Sequence, residues 1–159
     1  MCLRNCPAII LFLLILTGCE LQNLQPNADL SSLTAVQQRA NEAYQNEDWK
    51  TAEKEYHYLA KNLPSEIEPW FRLGNIYART GKLDAAVSAY REALVRDTKN
   101  SKIWHNLGIV QLRQATNTFV EMLAYTDPND PLNQRARHVV NTMGEMMTTG
   151  FGAGAATAE

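Results

Sequence analysis

Cysteine is scarce in this 159-residue chain and sits where it cannot build a fold. There are three, Cys2, Cys6 and Cys19, with none after residue 19. A disulfide framework or a multi-thiolate zinc site downstream is therefore excluded. Histidine is equally sparse: His57, His105 and His138 show neither an H-E-x-x-H pattern nor an i, i+4 pair, so no metal ligands are expected. There is no G-x-S-x-G nucleophile elbow. Glycines 150, 152 and 154 follow no strand and open no helix, which a phosphate-cradling loop requires. Neither sign of charge is in large excess: 15 Lys and Arg stand against 17 Asp and Glu, which lacks the basic footprint of a nucleic-acid binder. These absences leave no catalytic residues, no cofactor and no small-molecule substrate, and the expectation is a protein that is not an enzyme. Long apolar runs are also missing. The longest, AIILFLLIL at residues 8–16, is well short of the ~20 residues that cross a bilayer as a helix.

That run has a different meaning. It follows Arg4 and Pro7 and leads into Thr17 and Gly18, the order of a secretory signal: a positive charge, ~7–15 apolar residues, then slim side chains. Leu16-Thr17-Gly18-Cys19 resembles the lipobox of bacterial lipoproteins. The resemblance implies a diacylglycerol thioether on Cys19, cleavage before it, and acylation of the new amine. Residues 1–18 would leave as signal peptide, and the lipid on Cys19 would be the one covalent addition. Two or three acyl chains hold a protein on a membrane stably, where one is marginal. Glu20, rather than the Asp linked with inner-membrane retention, favours the periplasmic face of the outer membrane of a Gram-negative host. Residues 19–31 contain Pro26 and Asn27 and show no sustained period, so a flexible tether is expected there.

Beyond the tether a period of 34 emerges. Trp70 and Trp104, Leu73 and Leu107, Gly74 and Gly108, Ala52 and Ala86, and Tyr56 and Tyr90 all share that spacing. A fixed period in this range marks a stacked repeat. WFRLGNIY, Trp70 to Tyr77, resembles the tetratricopeptide repeat, with Trp70, Leu73, Gly74 and Tyr77 filling W-x-x-L-G-x-x-Y. The resemblance implies an all-α fold, a right-handed superhelical solenoid of antiparallel helix pairs, over residues 32–149. Repeats are expected at about 33–66, 67–100 and 101–130, with Ser65 and Glu68 as a capping box opening the second. Repeat 1 has Val36, Arg39 and Ala40 where Trp, Leu and Gly belong. Repeat 3 starts well but is four residues short before Asp127-Pro128, with its second helix expected near 117–126. A capping helix is expected at 131–149, opened by Asp130-Pro131. Its apolar stripe is Leu132, Ala136, Val139, Val140, Met143 and Met147, with the Met143, Met146, Met147 cluster packing under the last repeat. Residues 150–159 read as a flexible tail.

In tetratricopeptide proteins the first helix of each repeat lines a concave groove that takes a peptide or helix. Carried onto this chain, the groove positions are Gln37, Asn41 and Tyr44; Phe71, Asn75 and Arg79; and Lys102, His105 and Arg113. Amide, aromatic and cationic groups of this kind suit peptide backbone and carboxylates. Asn41 and Lys102 match a carboxylate-clamping subgroup, but Gln37 stands where that subgroup has Lys. The combined expectation is a lipid-anchored scaffold resembling pilotins and the assembly factors of pili and secretion systems. Its partners would be a protein in the groove and a membrane at the lipid. The alternatives are a subunit of an exopolysaccharide-export or outer-membrane-protein assembly complex and, from another class, an envelope enzyme or its activator.

Overall fold

The computed structural model describes residues 26–148, all helical between short turns. The order is α1 Pro26–Gln45, α2 Trp49–Asn62, α3 Ile67–Arg79, α4 Leu83–Arg96, α5 Ser101–Tyr125 and α6 Pro131–Thr148. There is no strand among the described residues. Each helix packs against the next in the chain, and α3 also touches α5. This is a helical repeat solenoid, as the 34-residue period implies. The signal segment, Cys19, the start of the expected tether and the tail at 150–159 lie outside the described residues.

The turns follow from local chemistry. Glu47 takes a positive φ of 57° between α1 and α2, and Asp48 then caps α2 by accepting from the Thr51 amide at 3.2 Å. That contact, with the Thr51 hydroxyl the larger influence, holds the Asp48 carboxyl below its ordinary range. Between α3 and α4 the left-handed position is Gly81, φ 76°, where a side chain would be strained.

Two regular helix pairs hold the core. Tyr56, Leu59, Leu73, Ile76, Tyr90 and Ile103 are almost wholly buried, each worth roughly 1.5–3 kcal/mol in apolar burial. The same polar strut recurs in both pairs. Tyr56 Oη donates to Asn41 Oδ1 at 2.7 Å, and Tyr90 Oη to Asn75 Oδ1 at 2.7 Å. Asn75 Oδ1 also accepts from Asn106 Nδ2 at 3.0 Å, so the second strut reaches α5. Charged links tie the helices as well: Arg39 to the buried Glu55 at 3.0 Å between α1 and α2, and Lys82 to Glu53 at 2.8 Å between the start of α4 and α2.

Three expectations are corrected. Residues 26–31 belong to α1 rather than to a tether. Pro26 is the first helical residue, where its missing N–H costs no hydrogen bond, and Leu30 is 59 % exposed, so the apolar period of α1 begins only beyond this stretch, at Leu33, Val36, Ala40 and Ala43. The capping box fails: Glu66 is the N-cap of α3 and makes no side-chain cap bond, while Glu68 turns to Arg72 one turn on, at 2.6 Å. The third repeat has no break near 117; α5 runs unbroken to Tyr125. The position 34 after Gly81 is Ala115, and those 34 after Asn75 and Tyr90 are Ile109 and Ala124. Both the turn residue and the strut are lost, and the helix simply continues. As expected of a capping helix, α6 packs against α5, the last helix before it. Buried Asn133 starts that pairing, donating through Nδ2 to Thr126 Oγ1 at 2.8 Å. Ala136 is buried and Val139, Val140, Met143, Met146 and Met147 are half-buried, but Leu132 is 55 % exposed.

Candidate protein-docking groove

The first helices of the pairs, α1, α3 and α5, carry two adjoining recesses that share Glu68 and Arg72. The first, a cavity of about 440 Å³, is walled by Gln37, Asn41, Tyr44, Gln45 and Tyr56. The second, about 230 Å³, is walled by Ile67, Phe71, Asn100, Lys102 and Ile103. Arg72 is the hinge between them. Its guanidinium lies 4.6 Å from the centre of the Tyr44 ring and bonds to Glu68. An ion pair plus a cation–π contact fixes a side chain that is otherwise costly to immobilise.

The predicted groove residues divide. Gln37, Asn41, Tyr44, Phe71 and Lys102 line the recesses. Gln37 Nε2 donates to Asn41 Oδ1 at 3.0 Å, so two groove amides are pre-oriented along α1. Asn75 is corrected: it is 6 % exposed and belongs to the buried strut, out of a partner's reach. Arg79 stacks 5.3 Å from the Trp49 ring and approaches Glu47 at 3.9 Å. Arg113 donates to the Ala78 carbonyl at 2.8 Å, pinning α5 to α3. Neither of these arginines, nor the exposed His105, lines either of these two recesses. Glu68 and Arg72 were missed. Glu68 occupies position 2 of its repeat, the position that identified Lys102, so the same rule could have found it.

Tyrosine burial sets the electrostatics. Burial pushes the Tyr56 and Tyr77 hydroxyls up to about 12, and Tyr90 higher still. All three stay neutral hydrogen-bonding groups at physiological pH. His57 Nε2 lies 2.6 Å from Tyr77 Oη. Among the described residues no three His, Cys, Asp or Glu side chains are grouped to hold a metal, and no helix is long and apolar enough to cross a membrane.

The tetratricopeptide-repeat family model matches residues 38–101. That stretch runs from the middle of α1 through α4 and takes in both Asn–Tyr struts, ending at the first residue of α5. Residues 38–101 are therefore similar to tetratricopeptide repeats, whose domains bind protein or peptide partners. Over 92 residues the chain is also 32 % identical to the general transcriptional corepressor ssn6 of Schizosaccharomyces pombe. That match covers 57 % of this chain and 8 % of the corepressor's length, so the likeness concerns repeats within a far longer protein.

Proposed function

We propose that this protein is a lipid-anchored tetratricopeptide scaffold of a bacterial envelope, holding a protein partner in the α1–α3–α5 groove during assembly of a pilus or secretion complex. The observation that carries the binding role is the pair of recesses joined at Arg72. They form one polar track across three helices, with fixed amides at one end and Lys102 at the other. Such a track suits an extended segment whose backbone meets Gln37 and Asn41 and whose acidic groups meet Arg72 and Lys102. The anchor rests on Leu16-Thr17-Gly18-Cys19 behind its apolar run. Lipid at Cys19 would keep the groove within a short reach of the outer membrane and so raise its effective concentration toward partners inserting there.

The anchor is tested by Cys19→Ser followed by fractionation and mass spectrometry. The wild-type chain is expected in the membrane fraction with acyl mass on Cys19, and the variant in the soluble fraction or unprocessed. A variant that stays in the membrane fully processed would rule out the lipid. The groove is tested separately by Arg72→Ala, which should reduce partner capture while leaving fractionation unchanged.

A further inference from the structure

The outer face of α2 differs from that of its counterpart α4. Lys50, Lys54, His57 and Lys61 recur at intervals of four, three and four residues, so they share one face of the helix. All four are exposed, and the Lys54 side chain keeps 82 % of its surface accessible. At about 100° per residue this stripe lies opposite the buried face of Ala52, Tyr56 and Leu59. Tyr58, 47 % exposed, stands beside it. Thirty-four residues on, the same positions of α4 are Asp84, Ser88, Arg91 and Val95, all exposed. The lysines therefore belong to α2 and are not demanded by the repeat.

No acidic residue lies on the stripe, and the carboxylates of α2 and its cap are engaged. Glu53 pairs with Lys82 at 2.8 Å and Glu55 with Arg39 at 3.0 Å. Lys54 comes within 3.7 Å of the Glu55 that Arg39 already holds. Asp48, two residues before Lys50, accepts from the Thr51 amide. His57 leans to α3, with Nε2 2.6 Å from Tyr77 Oη, so the standing charge is that of the three lysines. They are spread over about 16 Å of helix and line neither groove recess. A row of separate cations on flexible stems, with a tyrosine at its side, fits a plane of headgroups better than a single anion.

Position favours a membrane as the anionic surface. Seven residue steps separate Cys19 from Pro26, at most about 25 Å of chain. A short turn joins α1 to α2, and the two pack together, so they run antiparallel. Lys61 therefore lies toward the end of the pair where α1 begins. We propose that the Lys50, Lys54 and Lys61 face of α2 rests on the anionic headgroups of the membrane that holds the lipid at Cys19. Each lysine at such a surface favours the bound state roughly fivefold, and Tyr58 suits the headgroup level. The consequence is an orientation. α2 meets the first recess through Tyr56, on its buried side, so a bilayer at the lysines lies on the other side of α2 from that recess. The acyl chains would give the address, and the stripe would aim the groove away from the lipid. This inference rests on the lipid-anchored reading for the identity of the surface.

The test adds the full chain, purified in detergent, to preformed vesicles of neutral phosphatidylcholine alone or with anionic phosphatidylglycerol. Flotation with neutral vesicles reads the anchor. Acetylation by a water-soluble amine reagent, followed by mass spectrometry, reads the stripe, with Lys99 and Lys102 as references. Lys50, Lys54 and Lys61 should acetylate several-fold more slowly on anionic than on neutral vesicles, with the references unchanged, and high salt should erase the difference. In a Lys50→Gln, Lys61→Gln chain, protection of Lys54 should fall toward its neutral-vesicle level. Equal rates on both vesicles, in a chain that floats with both, would overturn the proposal and leave the anchor standing. Flotation and lysine protection on anionic vesicles alone would support the stripe and overturn the anchor. No flotation with either would overturn both. Protection in native membranes but not on pure anionic lipid would assign the lysines to an acidic protein and overturn the proposal.

Discussion

Replacing Gly74 by alanine tests the packing logic of the repeat at its tightest point. In an exposed helix interior this change is stabilising, by roughly 0.5–1 kcal/mol, because glycine loses more backbone freedom on folding. Here the new methyl would lie against Tyr90 Cε1, 2.5 Å from Cδ1 and 2.9 Å from Cζ. The ring cannot swing aside freely. Tyr90 is 1 % exposed, and its hydroxyl is tied to Asn75. Overpacking of this kind costs about 1–3 kcal/mol, and disturbing the strut adds about 0.5–1.5 kcal/mol. After the propensity gain is subtracted, the net loss should be about 2 kcal/mol, a fall of roughly 6 °C in Tm for a domain of this size. Gly144, exposed in α6 with no atom of the described residues near its Cβ, is the control. Gly144→Ala should raise Tm slightly. Thermal melts followed by circular dichroism decide it. A Gly74→Ala chain that melts with or above the Gly144→Ala chain would refute the close approach of α3 and α4.

Three further outcomes are expected. Asn75→Ala strands two buried donors, the Tyr90 hydroxyl and the Asn106 amide, at about 1–3 kcal/mol each; Asn41→Ala, at an exposed site, should cost clearly less in the same denaturant titration. Gly81→Ala should cost about 1–2 kcal/mol from its φ of 76° alone, since no atom of the described residues crowds the position. Stability should also fall between pH 10 and about 12. Unfolded tyrosines ionise near 10, whereas burial holds Tyr56 and Tyr77 up to about 12; the unfolded chain therefore binds fewer protons across that window and gains. An alkaline titration showing constant stability through pH 12 would contradict the burial of these hydroxyls.

The helix pairs were legible because their signals are steric and repeat: Trp70, Leu73, Gly74 and Tyr77 on one face, then Ala86 and Tyr90 opposite. The third repeat misled because its first half keeps Trp104, Leu107 and Gly108 while the residues that force a turn and brace the second helix are gone. Ala115, Ile109 and Ala124 state that loss, but only once the Asn–Tyr strut is known. Asn75 was assigned to the groove by position; its 34-residue spacing from Asn41, matched by Tyr56 and Tyr90, marks the strut equally well. Solvent exposure separates the two asparagines, and that depends on α5 lying across Asn75. Arg72 was hidden because its value lies in contacts with Tyr44 and Glu68 from different helices or turns.

A protein partner in the α1–α3–α5 groove should be caught by photo-crosslinking in cells from Gln45 and Lys102, one at each recess, with Ser88 on the exposed face of α4 as control. The expected result is one shared adduct from both groove positions, identified by mass spectrometry as an envelope assembly or secretion subunit, absent from Ser88 and weakened by Arg72→Ala. An adduct that forms from Ser88 and from neither groove position would mean that the partner docks elsewhere and that the groove is not the binding surface.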